Sequence, residues 1–367
     1  MKAISAAVAW WPGSADLPES ASPPAGPVLG YLCRAFPPAV AVGLGMRPLR
    51  PTNSLSGAMA TRGEELVRPD VCPAVKAVLG AVVGQEGPPA KVDVWAGLAT
   101  CDGTRRLFGE LEDMTGVPVI PLHLPSTRTA EAAGYYAGEM EAFAGSAVKR
   151  GFSEGWDAAR AGEYEAAFRR AAGALRRAAL SGRTDPVELT DLLMDFSTAC
   201  PTGGDAALSG RIARAESQER SPSYRVALLE VPGAPGDGLV PEALSVREAG
   251  MVALGCGAQW GIPEGPPTPF PSPGDLAREY FETVLCARSR PNDSVFARLE
   301  DTVAETGAAG LVMSTMRFCD MWFAERLRLR TRLPVPVLVL DRDLSTSGRE
   351  TVANRLDAFL DSLEASL

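Results

Sequence analysis

Two rhythms of hydrophobic and polar positions alternate along this chain. Short apolar runs of strand length recur between stretches whose apolar residues return every three or four positions. The first set reads strand, helix, strand across residues 28–50 (VLGYLC, FPPAVAVGLGM, RPLRP). A helix is expected from about Asp70 through Leu79, with Asp70 as its capping residue. KVDVWAGLATCDG, TRRLFGELEDMTG and VPVIPLHLP then read as strand, helix and strand with short connections, the pattern of a βαβ unit in a parallel sheet. Residues 130–198 are helical in pattern throughout, and 199–222, rich in Gly and Ser, read as a linker or long loop.

A second α/β region opens at YRVALLEV. The helix PEALSVREAG, the strand MVALG, a Pro/Gly-rich loop over 256–273 and helices around Asp275–Cys286 and Val295–Thr306 follow it. GLVMSTMRFCD, MWFAERLRLRTR and LPVPVLVLDRD then repeat the strand–helix–strand of the first half. Cys101 to Pro118 and Cys319 to Pro336 both span 17 residues (118 − 101 and 336 − 319). Aspartate follows each cysteine, each proline sits in a V-P-V triplet, and His123 and Asp341 each lie 22 residues past their cysteine. The expected fold is α/β: two tandem flavodoxin-like or Rossmann-like parallel-sheet domains with an inserted helical segment. The expected divisions are a loosely ordered extension over 1–27, a first α/β domain over 28–130, a helical segment and linker over 131–222, and a second α/β domain with a C-terminal helix over 223–367.

Composition narrows the chemistry. With 46% hydrophobic and 22% charged residues, and no apolar run near the roughly 18 residues a bilayer needs, no membrane span is expected. A net charge of −9 argues against a nucleic-acid surface, and the basic run RLRLRTR (326–332) reads as a solvated helix face. The opening MKAISAAVAWW lacks a convincing cleavage site and reads as an extension. Seven cysteines without a CxxC pair point to a reducing compartment, taken as the cytoplasm. They also exclude zinc ribbons, thioredoxin-like pairs and the ferredoxin run. The single histidine, His123, excludes any site needing two imidazoles from this chain, and no GxSxG elbow supplies a triad serine. The chain also lacks GxxxxGK[ST].

Cys101 and Cys319 are expected at the carboxyl ends of strands, where parallel sheets bind ligands. If the domains face each other, both thiols point into the cleft, and the helix start after each should favour the thiolate. Cys72, followed by Pro73, is expected in the first turn of its own helix. Cys33, Cys200 and Cys286 read as small buried hydrophobes, and Cys256, between two glycines, is intermediate.

Four segments carry a resemblance: VLGYLCRAFPPAVAVGLGMRPLRP, RPDVCPAVKAVLG, ATCDGTRRLFGELE, and RFCDMWFAERLRLRTRLPVPVLVLDRDLSTSGRETVANRLDAFLDSLE. In this order the chain resembles the 2-hydroxyacyl-CoA dehydratase family, which also takes in benzoyl-CoA reductases and double-cubane cluster proteins. Within it the likeness is to the D-component, beta-like subunits, from about Gly26 to the C-terminus. The resemblance implies a 4Fe-4S cluster in the interdomain cleft on Cys72, Cys101 and Cys319, with one iron lacking a protein thiolate. A double cubane is the less favoured cofactor. The resemblance further implies a lyase subunit of anaerobic metabolism, paired as a heterodimer with a paralogous dehydratase subunit. An ATP-hydrolysing activator would supply one electron, and an acyl-CoA substrate would lose water through a ketyl radical. The alternatives are a benzoyl-CoA reductase-like or double-cubane reductase subunit, and a non-catalytic cluster-bearing accessory subunit. Gly348 and Arg355 fit the family's C-terminal signature, whereas Arg349 and Asn354 stand where Gln and Thr are usual. His123 stands where aspartate is frequent, and GIPEGPPTPFPSPG replaces a segment that often contributes to the active site.

Overall fold

Every strand of this chain pairs in parallel, so each connection must cross from one end of a sheet to the other, and helices make those crossings. The computed structural model describes residues 26–199, 206–231, 238–255, 260–344 and 348–367. Nearly all of the expected N-terminal extension, together with Cys200 and Cys256, lies outside the described residues.

The first half runs β1 (Val28–Gly30), α1 (Pro38–Gly43), β2 (Arg47–Leu49), α2 (Gly57–Glu64), α3 (Pro73–Val83), β3 (Val94–Ala99), α4 (Asp102–Thr115) and β4 (Val119–His123). Helices α5 (Ala130–Lys149), α6 (Ala158–Ser181), α7 (Pro186–Ala199) and α8 (Ala206–Glu216) follow. The second half opens with β5 (Arg225–Val231), α9 (Leu239–Val246), β6 (Gly250–Gly255), α10 (Pro273–Thr283) and α11 (Asp293–Thr306). It closes with β7 (Gly310–Met316), α12 (Asp320–Ala324), α13 (Arg326–Arg332), β8 (Val337–Arg342) and α14 (Arg349–Glu364). The two four-stranded sheets have the same winding, β2-β1-β3-β4 and β6-β5-β7-β8. Each therefore has one switch point, between β1 and β3 and between β5 and β7, where the crevice beyond the strands' carboxyl ends opens. The α/β fold with two parallel sheets is as expected, and no helix among the described residues is long and apolar enough to cross a membrane.

Several local expectations are corrected. Helix α3 begins at Pro73 rather than Asp70, because proline lacks the N–H that a helix interior needs and suits the first helical position. Asp70 instead pairs with Arg68 at the surface. The expected linker contains α8, whose Leu208, Ile212 and Ala215 recur on one buried face. Helix α10 stops at Thr283, so Cys286 lies beyond it. The RLRLRTR run is only partly a solvated face: Arg328 and Arg332 pair with Asp293 and Glu300 and lie over the Phe296 ring. The equal 17-residue spacing also hides a difference. Trp95 and Leu311 both donate to the V-P-V proline carbonyl of the next strand. From there Cys101 is six residues on (101 − 95), but Cys319 is eight (319 − 311). The extra length ends at Phe318, which takes a left-handed backbone (φ 63°) before Cys319.

Both sheets share one apolar core with the helical layer: Leu29, Val94 and Ile120 of the first sheet and Val226, Leu228 and Met251 of the second pack with Tyr136, Phe143, Phe168 and Phe196. A buried ion pair stiffens this layer. Glu165, fully buried, accepts from Arg169 at 2.7 Å and from the Tyr280 hydroxyl at 3.2 Å, and Arg169 also pairs with Glu279, tying α6 to α10.

A second tie joins the halves directly. Arg290 N–H donates to Ser126 O (2.7 Å) and Arg128 N–H to Arg290 O (3.0 Å). The guanidinium of Arg128 donates to carbonyls of Phe281, Glu282 and Val284, and that of Arg288 donates to those of Leu124 and Pro125. Each half thus contributes an arginine that holds the other's backbone.

Helix α3, which follows Cys72, is set by close backbone approach to α2. A Cβ on Gly80 would fall 2.0 Å from Met59 O, and one on Gly63 2.0 Å from Lys76 O. Gly80→Ala is expected to lower stability by about 1–3 kcal/mol, the usual cost of overpacking, read as a lower urea midpoint at unchanged slope.

Candidate metal centre

Cys72, Cys101 and Cys319 occupy the same local position in three different places: each is the residue that caps the N-terminus of a helix, α3, α4 and α12. A capping residue is half outside the helix, and its side chain faces backbone N–H groups that have no helical partner. The Cys101 sulfur accepts from Thr104 N–H at 3.4 Å, while Thr104 Oγ1 accepts from Cys101 N–H at 3.0 Å, closing a reciprocal capping box. Thr104 Oγ1 also lies 3.5 Å from that sulfur. Neither Cys72 nor Cys319 accepts a capping hydrogen bond, although the nearby N–H groups of Ala74 and Val75 and of Trp322 pull their thiols toward the thiolate.

The aspartates after Cys101 and Cys319 have a simpler role than ligation. Both are exposed in the first helical turn, where negative charge favours the helix dipole, and Asp102 pairs with Arg106 at 2.8 Å.

The three sulfurs are electrostatic neighbours. Charge on Cys101 raises Cys72, and charge on Cys72 and Cys101 raises Cys319. Cys72 and Ala74 pack into the apolar cluster that contains Cys319, so the first sheet's helix reaches the second sheet here. Between Cys72 and Cys101 sits Gly103. A Cβ there would stand 3.3 Å from Val75 Cγ2 and 3.8 Å from both the Cys101 sulfur and the Cys72 Cβ, so the glycine lets these three side chains pack close together. Among the described residues, no three His, Cys, Asp or Glu side chains converge tightly enough to chelate one ion.

Helix starts were expected to favour the thiolates. For Cys72 and Cys319 burial is the larger effect: it pushes Cys72 above the usual thiol range and Cys319, 9% exposed, up to about 12, despite the N–H groups that pull the other way. A metal binding here must therefore displace protons.

Two cysteines read from sequence as ordinary core residues also reach this region. Cys33 follows β1, its sulfur accepts from Ala35 N–H at 3.4 Å, and it feels both Cys101 and the cations Arg50 and Arg288. Cys286 comes from the seam between halves and, like Cys33 and Cys101, acts on Arg288. Nothing in the spacing of these two signalled it, since the seam that brings Cys286 across is formed by residues more than 150 positions apart in sequence.

His123 ends the edge strand β4 and is paired in register with Ala99, two residues before Cys101. Glu139 accepts from its backbone N–H (3.0 Å) and meets its Nδ1 (3.0 Å), leaving Nε2 as the imidazole's other polar edge. Leu124, Pro125, Thr129 and Tyr135 border an open hollow of about 430 Å³ beside it.

A protein-family model described as 2-hydroxyglutaryl-CoA dehydratase, D-component, matches residues 33–363. No curated protein matches the chain.

In the metal-free protein, Cys319 is expected to be the slowest of the described thiols to react with iodoacetamide at neutral pH. Its rate should still climb at about pH 10, where a thiol with an ordinary value of about 8.5 has levelled off. Peptide mass spectrometry of timed reactions reads both effects.

Proposed function

Because the chain belongs to the 2-hydroxyglutaryl-CoA dehydratase D-component family, we propose that it is the iron–sulfur subunit of a 2-hydroxyacyl-CoA dehydratase, with a 4Fe-4S cluster held by Cys72, Cys101 and Cys319. The observation that carries this reading is the gathering of cysteines at three helix starts from both halves of the chain, with Cys72 packed into the apolar cluster that holds Cys319 and Gly103 lying against Cys72 and Cys101. Bound there, such a cluster would supply a low-potential electron and, at the iron without a thiolate, a Lewis-acid position for a substrate oxygen.

The chain's own residues do the rest. Backbone N–H groups of Ala74, Val75 and Trp322 pull Cys72 and Cys319 toward the thiolate against burial, and Thr104 N–H donates to the Cys101 sulfur. The apolar clusters around Cys72 and Cys319 keep water from the sulfurs. Lacking a phosphate-binding loop, the chain receives its electron from a separate ATP-hydrolysing activator and acts on an acyl-CoA thioester beside a paralogous subunit, in the cytoplasm.

One observation favours a second reading. Cys33 lies within electrostatic reach of Cys101 and Arg288, and Cys286 within that of Arg288, two further thiols of the kind a double-cubane reductase subunit would need.

Iron and sulfide counts after anaerobic reconstitution separate the readings: about four irons per chain for the first and about eight for the second. Cys72→Ser, Cys101→Ser and Cys319→Ser should each lose most of the iron and the reduced-cluster EPR signal. Gly103→Val should lower iron uptake, because its side chain would press on Val75, the Cys101 sulfur and the Cys72 Cβ. A colourless wild-type protein after reconstitution would sink the proposal.

A further inference from the structure

Buried polar atoms in folded proteins are almost always hydrogen-bonded, so each one that is not needs a reason. Among the described residues, three neutral side-chain donors are buried without a partner: Trp95 Nε1, Trp260 Nε1 and Thr315 Oγ1. Trp95 stands near the amino end of β3, the end opposite the turn that carries Cys101. The other two stand at the carboxyl end of the second sheet, and both belong to the surroundings of Cys319.

Thr315, 1% exposed, is the penultimate residue of β7, the strand that borders the second sheet's switch point. Alternation along the strand puts its side chain on the face of Leu311 and Met313, which pack in the apolar cluster of Cys319. The chain then turns back on itself, and Cys319 N–H donates to Met316 O at 3.0 Å, one residue from Thr315. Trp260, 4% exposed, packs in the same cluster, its backbone N–H held by Gly255 O at the end of β6 (3.3 Å). The next residue, Gly261, lies where the halves meet: a Cβ there would stand 3.2 Å from Val284 Cγ2 and 3.1 Å from Arg34 Cβ. Cys72 packs against this cluster from the first half. Two orphaned donors and two of the three helix-start thiols thus share one apolar region.

For the fold alone this is a poor choice. A donor kept from water and given no acceptor loses hydrogen bonds that it makes in the unfolded chain, and an apolar side chain of the same shape does not. The sulfides of an iron–sulfur cluster are acceptors, and hydrogen bonds to them help to set its potential. We propose that Trp260 Nε1–H and Thr315 Oγ1–H donate to sulfur of the cluster bound at Cys319 and raise its reduction potential. An added electron makes the sulfurs more negative, and a donor bonds more strongly to a more negative acceptor, so both groups favour the reduced form. The proposal rests on the three-thiolate reading given above.

The test uses the full chain before and after anaerobic reconstitution. In the metal-free protein, Thr315→Val should leave the urea midpoint unchanged or raise it, because it removes an orphaned hydroxyl at nearly constant volume. The reconstituted protein is titrated with titanium(III) citrate, which gives the cluster one electron as Ti(III) becomes Ti(IV), and followed by EPR. Thr315→Val and Trp260→Phe should each be reduced about threefold less favourably, for one electron a potential lower by about 28 mV. Thr315→Ser keeps the hydroxyl and should titrate like wild type. So should Trp95→Phe, which removes an unpaired indole N–H at the far end of β3. Thr315→Val failing to hold iron while Thr315→Ser holds it would also support the proposal. Wild-type potentials in iron-replete Thr315→Val or Trp260→Phe would overturn it, as would Thr315→Ser behaving like Thr315→Val, or an equal shift in Trp95→Phe. A lower urea midpoint for metal-free Thr315→Val would overturn it too, since the hydroxyl would then have a partner within the chain. Failure of the cluster reading itself looks different, because wild-type protein would then hold no iron.

Discussion

The seam between residues 124–128 and 281–290 is the contact on which the candidate site depends. Parallel sheets place their βα turns at one end, but nothing in that rule turns the ends of two sheets toward each other. Here two backbone hydrogen bonds and two opposed arginines do so, each guanidinium holding carbonyls on the other side. Hydrogen bonds from a charged donor to carbonyls are stronger than those between neutral groups, and they are directional. They suit a joint that must fix an angle as well as a distance. The Glu165–Arg169–Tyr280 group braces α10, the helix that leads into this joint.

At the end of the sheets that the joint organises, two opposing effects meet on the same sulfurs. Helix starts offer N–H groups that favour a thiolate, and burial disfavours any charge. Burial is the larger effect on Cys72 and Cys319. The same apolar surroundings that make these thiols reluctant acids make them strong ligands once deprotonated, since water cannot compete for the position.

Much of this was legible in the sequence. The V-P-V triplets and the apolar runs before Cys101 and Cys319 marked the strands, and the equal spacing marked two similarly wound sheets. Pro73 signalled a helix start at Cys72, although Asp70 seemed the better cap by side-chain chemistry; the proline's missing N–H decided the matter. The two-residue offset before Cys319 was hidden because only cysteine-to-proline distances could be compared, and these are equal. The helix over 206–216 was masked by neighbouring glycines and serines that suggested a loop. Arg288 and Cys286 were illegible for another reason. Their neighbours Leu124, Pro125 and Cys33 belong to the other half of the chain, and no local pattern encodes a contact of that range.

The capping box at Cys101 bears on the order of assembly. Thr104 and Cys101 satisfy each other's backbone donors from within the chain, whereas the other two sulfurs accept no capping hydrogen bond. The start of α4 is therefore complete in itself, unlike small zinc domains, whose ligands come together only around their metal. On the reading proposed above, Cys101 would then be the ligand already in position before any cluster arrives, a fixed point on which the other two thiols could close.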